Sequence, residues 1–508
     1  MSTPPMRTDT PGQAPVWWAL AAVLGLRLVS LGLYPLMDNT EARYAEIARV
    51  MFTLGDWVTP WYDTHIPFWG KPPLSFWTTA LGMAVFGVNE FAARLPHFLA
   101  ALLVGWLVWG WAVQQSRQQA LAAVALLAGS SLMLISAGAV MTDMTLAVGT
   151  TLAMRGFWLG LHGGEGQRQR EGWLLFLGLA IGLLAKGPLV LVLAGLPLGL
   201  WTLFSRQLGR VWRDLPWLRG TLLIALLVGP WYVVAELRTP GFLDYFLLGE
   251  HWHRFVTAGW TGDRYGVAHS AARGSIWVYA WVALLPWSLL LPLAWWRWRR
   301  AAVIPVSDQA TPAQTARTVA APDKPLQRYW ILWSLAPLVF FTLAGNILWT
   351  YVLPALAPLA LLGARWLSRQ ADPRRVNRWL TGGLISSALV FAGFVGWLNL
   401  QPTQDWHTTR HLIAHYAALK TEGSTLAFYP ERPYSAAFYS RGQAGEITQA
   451  AQLLTRLATP PLFLAVKTSD QDTLPPEVQA RLQRQAEYGE YTLFYVGTGT
   501  PGAAPPAL

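Results

Sequence analysis

The sequence predicts a polytopic α-helical membrane protein with a soluble α/β segment at its C-terminal end. The 508 residues are 53% hydrophobic and only 13% charged, which is about half the charged fraction of a typical soluble domain. Apolar stretches long enough to cross a bilayer recur from Val16 to Leu400. Helices satisfy their own backbone hydrogen bonds in lipid, whereas open sheet edges do not. After residue 400 the composition changes, and short helix-like and strand-like segments replace the apolar stretches.

About eleven apolar segments are predicted to span the membrane, and the charges of the loops between them set the topology. The segments lie near residues 16–36, 95–113, 119–137, 143–161, 172–185, 187–204, 219–236, 276–296, 329–345, 348–365 and 379–400. Lys and Arg concentrate in every second loop, which the positive-inside rule places in the cytoplasm. The opposite side receives residues 37–94, 138–143 and 237–275, Lys186 and the tail. This alternation requires the short run 72–86 to lie along the interface rather than cross the membrane.

Composition excludes several classes of function. The net charge of +11 is explained by basic loops that face anionic lipid headgroups, so no nucleic-acid partner is predicted. The absence of cysteine excludes disulfides, thiolate metal sites and cysteine nucleophiles. The leader before Ala14 carries one Arg, and the apolar run that follows is longer than that of a signal peptide. The first helix is therefore expected to be retained.

Residues 401–508 are predicted to form a separate α/β domain, and residues 1–400 to form the membrane domain. Helices are predicted at 412–419 and 449–457, and strands at 425–428, 462–466 and 491–496. The polar insert over 301–324 is rich in Pro, Thr and Ala and is predicted to be a loose linker. The Gly/Pro/Ala-rich end over 497–508 is predicted to be disordered.

Two carboxylates follow the first span, and both have a structural and a functional interpretation. The residues after them recur at helical spacing and predict a short amphipathic helix, with Glu46 and Arg49 off its apolar stripe. That stripe consists of Tyr44, Ile47, Met51 and Leu54. Asp38 is placed to cap this helix, with Glu41 completing a capping box. A carboxylate held at a helix start also suits a general base or a group that orients an acceptor hydroxyl, and the spacing favours neither interpretation.

Three more charged residues lie on the same predicted side of the membrane. Lys71 precedes two prolines that fix its position, and it suits either an interfacial anchor or a phosphate contact. Asp143 stands at a predicted helix start, where it is either a cap or an acid held at the membrane surface for function. Lys186 lies in the tight turn Ala185-Lys186-Gly187-Pro188. Acids and phosphate-binding cations at a lipid boundary favour transfer from a lipid-phosphate donor.

The long loop 237–275 carries a second group of such residues. His251 and Arg254 are three residues apart and would share one face of a helix. Glu250 and His251, with His253, form a weak candidate metal site, because their spacing matches no established zinc pattern. No glycine-rich nucleotide loop and no Ser-His-Asp order stands out. A nucleotide-sugar donor is disfavoured, since such donors are cytoplasmic.

Short motifs run in order along the membrane region, from about residue 15 to residue 365. They are Thr40-Glu41-Ala42-Arg43-Tyr44-Ala45-Glu46-Ile47-Ala48, Gly55-Asp56-Trp57, Lys71-Pro72-Pro73-Leu74, Thr142-Asp143, Ala185-Lys186-Gly187-Pro188, Gly229-Pro230-Trp231-Tyr232, Glu250-His251 with Arg254-Phe255, Pro286-Trp287-Ser288 and Thr350-Tyr351-Val352-Leu353-Pro354. The tail adds Glu431-Arg432-Pro433-Tyr434-Ser435-Ala436-Ala437-Phe438-Tyr439. Together they resemble the aminoarabinose transferase family, a group of GT-C membrane glycosyltransferases related to protein O-mannosyltransferases. The tail motif resembles the periplasmic C-terminal domain of that family.

The resemblance implies a GT-C fold and an inverting transfer of a sugar from polyprenyl phosphate, typically undecaprenyl phosphate. The acceptor would be a lipid or glycolipid such as lipid A, on the periplasmic face of a bacterial inner membrane. Asp38 or Glu41 would activate or orient the acceptor, with Asp38 favoured, and Asp143 would support it. The residues implied to contact the donor phosphate or substrate are Arg43, Tyr44, Lys71, Lys186, His251, Arg254 and Tyr351. Fixed cations stabilise the charge that develops on a phosphate leaving group, and no cofactor is implied as a requirement.

Three departures from the family pattern bear on the site. Thr40 takes the position of a family Asp, and the acid instead lies at Asp38. Gly70 takes the position of a Glu that, in the family, is implicated with the His of Glu-His in holding zinc. Asn346 takes the place of a basic residue in the turn before Tyr351. These departures leave the identity of the sugar and of the acceptor open, and neither need be aminoarabinose or lipid A.

Two rival functions remain open from the sequence. A protein O-mannosyltransferase-like enzyme would use the same chemistry on a protein acceptor. A transporter or flippase for lipid-linked sugars would place its acids near the membrane midplane on broken helices, whereas the predicted acids here cluster at one boundary.

Overall fold

The computed structural model describes residues 12–63, 65–257, 259–265, 271–301, 324–370, 372–400, 407–458 and 461–497. Helices make up most of the first 400 residues, and a sheet with short helices follows. Residues 302–323 and 498–508, which hold most of the predicted linker and of the predicted disordered end, lie outside the described residues.

The helical region begins with a long apolar helix and continues through helices of very different lengths. Their bounds are Ala14–Ser30, Thr40–Leu54, Leu74–Phe86, Glu90–Ala112, Arg117–Ala128, Ser131–Ser136, Thr142–His162, Glu165–Lys186, Leu189–Phe204, Leu208–Asp214, Trp217–Arg238, Phe242–Asp244, Tyr245–His253, Arg254–Val256, Ser275–Ala283, Trp287–Ala301, Lys324–Thr342, Trp349–Val352, Leu353–Leu367 and Pro373–Asn399. Tyr245–His253 is a π-helix and Trp349–Val352 is a 3₁₀-helix.

Within the described residues, four helices are long and apolar enough to cross a membrane. They are Glu90–Ala112, Trp217–Arg238, Trp349–Leu367 and Pro373–Asn399. The pair Ser275–Ala283 and Trp287–Arg297, bent by 77°, adds a fifth if it is one span. Every predicted span contains a helix, although the one predicted over 119–137 is broken into Arg117–Ala128 and Ser131–Ser136. The chain is a multi-pass membrane protein, and the count of about eleven spans stays a prediction.

The helices predicted after the first span are present. Leu74–Phe86 has 13 residues, fewer than the roughly 20 needed to cross a bilayer, as expected for a segment at the interface. Thr40–Leu54 buries most of its predicted apolar stripe, although Leu54 is exposed. Glu46 and Arg49 are off that stripe but are nevertheless buried, because Arg49 Nε donates to Glu46 Oε2 at 2.6 Å. Burial raises the pKa of Glu46 despite this ion pair.

The chain divides into two compact units. Unit 1 contains residues 1–28, 68–75 and 96–391, and unit 2 contains residues 29–67, 76–95 and 392–508. Unit 2 therefore joins segments from both sides of residue 400, and the predicted domain boundary at that residue stays a prediction.

In unit 1, the antiparallel helices Thr142–His162 and Glu165–Lys186 pack closely through glycines. A Cβ added at Gly149 would lie 2.7 Å from the carbonyl oxygen of Gly178 and 2.8 Å from the amide nitrogen of Gly182. Small residues of this kind let two membrane helices approach backbone to backbone. Because the first helix begins where the second ends, the start of one and the end of the other lie together. This places Asp143 beside Lys186.

Unit 2 contains a two-stranded sheet of β1 (Trp61–Asp63) and β2 (Ile66–Pro67) and a five-stranded mixed sheet. The larger sheet consists of β3 (Thr425–Tyr429), β4 (Gly445–Glu446), β5 (Leu462–Lys467), β6 (Gln483–Tyr488) and β7 (Tyr491–Val496). Its order is β4-β3-β5-β7-β6, with β3 parallel to β4 and β5, and β7 antiparallel to β5 and β6. Both faces of β5 are buried, Phe463 in one core and Leu464 in the other.

All five elements predicted for the tail are present, and five further elements of its described residues were not predicted. The predicted helices correspond to Arg410–Leu419 and Ala450–Arg456, and the predicted strands to β3, β5 and β7. The elements that were not predicted are β4, β6, the helices Tyr434–Tyr439 and Pro476–Gln479, and the 3₁₀-helix Thr468–Thr473. Strand β6 has a mostly polar, exposed sequence and lies at the sheet edge, so it lacks the alternation of apolar residues that identifies a strand.

Candidate functional site

Asp143 and Lys186 form a buried ion pair in unit 1. Lys186 Nζ donates to Asp143 Oδ1 at 2.6 Å, and both side chains are less than a tenth exposed. Asp143 lies in the first turn of Thr142–His162, whose N-cap is Met141, so the carboxylate is not the cap. Of the two interpretations that the sequence left open for Asp143, the structure therefore does not show the cap, and its partner is a cation. The pair fixes the Lys186 amine, which lies 4.6 Å from the centre of the Tyr351 ring.

Lys71 and Arg254 share one carboxylate, that of Glu250. Lys71 Nζ donates to Glu250 Oε2 at 2.8 Å, and Arg254 Nη1 donates to Glu250 Oε1 at 3.0 Å. Burial alone would raise the pKa of Glu250, but the charges of Lys71 and Arg254 outweigh burial and hold the pKa below its usual range. Glu250 is therefore an anion that positions two cations.

Further contacts fix the Arg254 guanidinium and its backbone. Its Nη1 lies 3.3 Å from Asp263 Oδ2. The side-chain amide of Asn346 donates to the carbonyl oxygens of Arg254 and Thr257, the latter at 3.1 Å. Asn346, where the family has a basic residue, thus supports the backbone that carries Arg254.

His251 joins these two groups of charges. Its Nδ1 lies 2.7 Å from the carbonyl oxygen of Phe246, and its Nε2 lies 3.2 Å from that of Lys186. Burial lowers the pKa of His251, which favours the neutral ring, and a neutral ring donates from only one nitrogen. The shorter contact favours Nδ1 as the donor. Arg254 pairs with Glu250, and the sharing of one helical face by His251 and Arg254 stays a prediction.

The turn after Lys186 requires glycine. Gly187 has φ +81°, and an added Cβ would lie 2.4 Å from Phe246 Cζ and 3.1 Å from His251 Cε1. A left-handed backbone is accessible to glycine without strain. Gly187 therefore permits the His251 ring to approach the carbonyl of Lys186.

The residues at Glu250 and His251 do not fit a metal site. Both oxygens of Glu250 accept from cations, and both ring nitrogens of His251 lie against carbonyl oxygens. Gly70 takes the position of the family's Glu, and a Cβ added there would lie 2.7 Å from Phe68 Cζ. Among the described residues no group of three or more His, Cys, Asp or Glu side chains is arranged to hold a metal ion.

Asp38, in unit 2, is held by a residue far along the chain. Its Oδ1 accepts from the Ser435 backbone N–H at 3.0 Å, and its Oδ2 accepts from the Ser435 hydroxyl. The helix Thr40–Leu54 begins after Asn39, which is its N-cap. The capping interpretation, one of the two that the sequence left open for Asp38, is therefore not what the structure shows. Burial raises the pKa of Asp38 to about 6.

Glu41 has different surroundings and acts as a structural ion-pair partner. Arg94 donates to both of its oxygens at 2.8 Å, and the backbone N–H of Met37 donates to Oε2 at 3.1 Å. Arg94 is fully buried and also donates to the carbonyl oxygens of Leu31, Tyr34 and Pro35. The predicted capping box is absent, and Glu41 instead holds the segment before the helix through Arg94.

Arg43 and Tyr44 also lie in unit 2. The Arg43 guanidinium lies 5.3 Å from the Tyr44 ring and 5.7 Å from the Tyr434 ring. The Tyr44 ring is buried and packs edge-on against Phe76, with ring centres 5.4 Å apart.

The predicted site residues thus fall into two groups. Unit 1 brings together Lys71, Asp143, Lys186, Glu250, His251, Arg254 and Tyr351, which we call the cation cluster. Unit 2 holds Asp38, Glu41, Arg43 and Tyr44. Sequence reasoning missed Arg94, Asp263 and Ser435. Two signals were available in the sequence. Arg94 lies next to an apolar run, and Ser435 lies inside the tail motif.

Similarity to known proteins extends over most of the chain. Residues 17–246 match the family described as dolichyl-phosphate-mannose-protein mannosyltransferase. The chain is 30% identical over 412 residues to undecaprenyl phosphate-alpha-4-amino-4-deoxy-L-arabinose arabinosyl transferase 1 of Pseudomonas fluorescens (strain Pf0-1), covering 78% of this chain and 66% of that protein. It is 33% identical to the corresponding transferase of Pseudomonas aeruginosa (strain UCBPP-PA14), covering 68% of this chain and 58% of that protein. The chain thus spans less than two thirds of the length of these relatives.

Solved structures show the same fold. The crystal structure of ArnT from Cupriavidus metallidurans bound to undecaprenyl phosphate matches with a TM-score of 0.77 and 20% identity, covering 96% of this chain and 99% of that one. The apo structure of the same protein matches with a TM-score of 0.75, also at 20% identity. The architecture is therefore shared along nearly the whole of both chains.

Proposed function

This chain belongs to the aminoarabinose transferase-like family of GT-C membrane glycosyltransferases, and from that premise we propose that it transfers a sugar from a polyprenyl phosphate to a lipid acceptor. The transfer inverts the configuration at the anomeric carbon. The observation that carries the proposal is the cation cluster, in which three buried or partly buried cations are each held by a carboxylate.

The cation cluster supports recognition of the donor phosphate. Lys71, Lys186 and Arg254 are preorganised by Glu250 and Asp143, so they need little rearrangement to meet a second anion. Cations fixed before the reaction stabilise the charge that develops on a leaving phosphate. The relatives named above act on undecaprenyl phosphate-linked sugar, and undecaprenyl phosphate is the donor carrier that we propose here.

Asp38 is the proposed general base. A pKa of about 6 leaves the carboxylate ionised at neutral pH while keeping it basic enough to accept a proton. In the proposed step the acceptor hydroxyl gives its proton to Asp38, and its oxygen forms the new bond to the anomeric carbon. The bond from that carbon to the phosphate oxygen breaks, and polyprenyl phosphate leaves with the electron pair. Asp143 supports this reaction indirectly, since it holds the Lys186 amine.

The charge pattern of the loops supports a location in a bacterial inner membrane with the acceptor on the periplasmic face. Asp38, Lys71, Asp143 and Lys186 all fall in segments that the positive-inside rule assigns to the side opposite the basic loops. The first acceptor to test is lipid A.

A transfer assay tests the proposal. The purified protein is incubated with undecaprenyl phosphate carrying radiolabelled 4-amino-4-deoxy-L-arabinose or mannose and with a bacterial lipid extract. Labelled lipid is expected with wild-type protein and is expected to be absent with Asp38→Asn. The matched control is Asp472→Asn, an exposed acid of the tail, which should keep full activity. Full activity of Asp38→Asn would overturn the assigned base, and absence of any transfer from folded protein would favour a transporter.

A protein acceptor is the second candidate, because residues 17–246 match the protein mannosyltransferase family. The same assay distinguishes the two candidates when membrane proteins are supplied beside the lipid extract. Label that stays with the protein fraction after lipid extraction would identify protein transfer.

A further inference from the structure

We propose that Ser435, in the tail motif Pro433-Tyr434-Ser435, is a positioning residue that orients the Asp38 carboxylate for proton transfer. The inference rests on the proposed role of Asp38 as the general base. It gives the C-terminal segment a part in the reaction, beyond its contribution to the fold.

Ser435 binds both oxygens of the carboxylate at once. Its backbone N–H donates to Oδ1 at 3.0 Å, and its hydroxyl donates to Oδ2. Its side chain is fully buried, so water does not compete for these bonds. Asp38 is held from its backbone as well, because its own N–H donates to the carbonyl oxygen of His407 at 2.7 Å. The two bonds from one residue fix the plane of the carboxylate. The carboxylate also accepts from the Tyr434 backbone N–H, and its remaining lone pair can accept the proton of the acceptor hydroxyl.

A second hydroxyl, that of Thr409, fixes the direction of the hydrogen bond from Ser435 to Asp38. Thr409 Oγ1 lies 2.9 Å from Ser435 Oγ, and this contact is buried. Since the Ser435 proton is directed to an ionised Asp38, the Thr409 hydroxyl must donate to Ser435. The hydrogen bonds therefore run from Thr409 through Ser435 to Asp38. This polarity favours the ionised carboxylate, which is the form that a base requires.

The helix that carries Ser435 has other attachments in unit 2. The backbone N–H of Leu36 donates to the Tyr439 hydroxyl at 2.7 Å, and that hydroxyl donates to Glu90 Oε1 at 3.1 Å. The Tyr434 hydroxyl is hydrogen-bonded to the Tyr62 hydroxyl. Because these contacts do not involve the Ser435 side chain, its removal is expected to leave the helix Tyr434–Tyr439 in place.

The expected effect of Ser435→Ala follows from the chemistry of Asp38. Burial raises the pKa of Asp38, and it is lowered by the two bonds from Ser435, by the Tyr434 backbone N–H and by the charge of His407. Loss of the hydroxyl therefore raises the pKa further, and a higher pH is needed to ionise the base. One hydrogen bond to a charged group corresponds to a shift of about one pH unit.

The test compares pH profiles of kcat/KM for wild type, Ser435→Ala, Ser435→Thr and Ser440→Ala. Ser435→Ala is expected to move the acidic limb up by about one pH unit. Transfer would then fall about fivefold at pH 6 and recover at pH 8.5. Ser435→Thr keeps the hydroxyl, so the acidic limb of its profile should lie at the same pH as in the wild type. Ser440→Ala removes a hydroxyl from the end of the same helix and should leave the profile unchanged.

Three results separate this proposal from its premise. A uniform loss of activity in Ser435→Ala, with the acidic limb in place, would mean that Ser435 serves only the fold. An unchanged Ser435→Ala profile would also overturn the positioning role, while inactivity of Asp38→Asn would leave the base assignment intact. Full activity of Asp38→Asn would overturn the base itself.

Discussion

Asp38 and Glu41 lie three residues apart in the sequence, yet the folded chain gives their carboxylates very different partners. Asp38 accepts from neutral donors of Ser435 and has a pKa raised to about 6. Glu41 pairs with Arg94, a cation that is completely buried. A carboxylate neutralised by a buried cation is a poor proton acceptor, because protonation would leave that cation without its counter-charge. The contrast supports Asp38 as the base.

Replacement of Glu41 should therefore damage stability more than chemistry. Glu41→Gln leaves the Arg94 guanidinium without its counter-ion, and breaking a buried pair in this way costs about 3 kcal/mol. Thermal unfolding of the detergent-solubilised protein measures the loss. Transfer per folded molecule should be retained, whereas Asp38→Asn should show the reverse pattern. Glu422→Gln, an exposed acid, is the control. A Glu41→Gln protein of normal stability and no activity would contradict this assignment.

The pKa of Asp38 predicts how transfer depends on pH. The base must be ionised to accept a proton, and burial raises its pKa to about 6. The rate should be steady near pH 8, half-maximal near pH 6 and about a tenth of its maximum at pH 5. Initial rates of kcat/KM between pH 5 and pH 8.5 give the profile, with the circular dichroism spectrum checked at each pH. A rate that stays constant down to pH 5 in folded protein would rule out a base with this pKa.

The sequence located these side chains but could not assign their roles. Arg94 lies 53 residues from Glu41, and Ser435 lies 397 residues from Asp38. Local spacing favoured a capping box, since an acid before a helix usually finds its partner in the backbone nearby. Here distant residues bind both acids, and the local spacing carries no information about those partners.

At the scale of elements, the turn between Glu165–Lys186 and Leu189–Phe204 links backbone conformation to the cation cluster. Gly187→Ala places a Cβ in a left-handed backbone and 2.4 Å from the Phe246 ring. We expect a loss of about 1–3 kcal/mol in stability and weaker binding of undecaprenyl phosphate, because the His251 contact to Lys186 must open. Thermal unfolding and binding of the labelled lipid measure the two effects.

Gly195→Ala is the matched control, since it adds the same methyl group within Leu189–Phe204, where nothing lies within 4 Å. It should leave both quantities unchanged. Equal behaviour of the two variants would show that the turn does not support the cluster.

Elements with a strong periodic pattern were predicted well, and elements fixed by tertiary contacts were not. Apolar segments and strands such as β5 are recognisable in the sequence from their continuous runs of apolar residues. The structure buries both faces of β5. The helix Tyr434–Tyr439 has only six residues, too few to show a period. The π-helix Tyr245–His253 was also missed, because its wider turn has no sequence signature of its own.

At the scale of the whole molecule, the resemblance to the aminoarabinose transferases is confirmed by the related sequences and by the shared fold. Composition alone predicted a multi-pass membrane protein, since 53% hydrophobic residues with 13% charged residues do not suit a soluble chain. The sidedness of the membrane comes only from the distribution of Lys and Arg, so it needs an independent measurement.

The absence of cysteine from the sequence makes that measurement direct, because any introduced thiol is the only one in the protein. Asp472→Cys places a thiol in the tail and Arg213→Cys places one in a basic loop, and both positions are exposed. If the basic loops are cytoplasmic, a membrane-impermeant maleimide applied to spheroplasts should label Asp472→Cys and spare Arg213→Cys. Detergent lysis should then expose both thiols to the reagent. Labelling of Arg213→Cys in intact spheroplasts, with Asp472→Cys protected, would invert the topology and place Asp38 and the cation cluster on the cytoplasmic side.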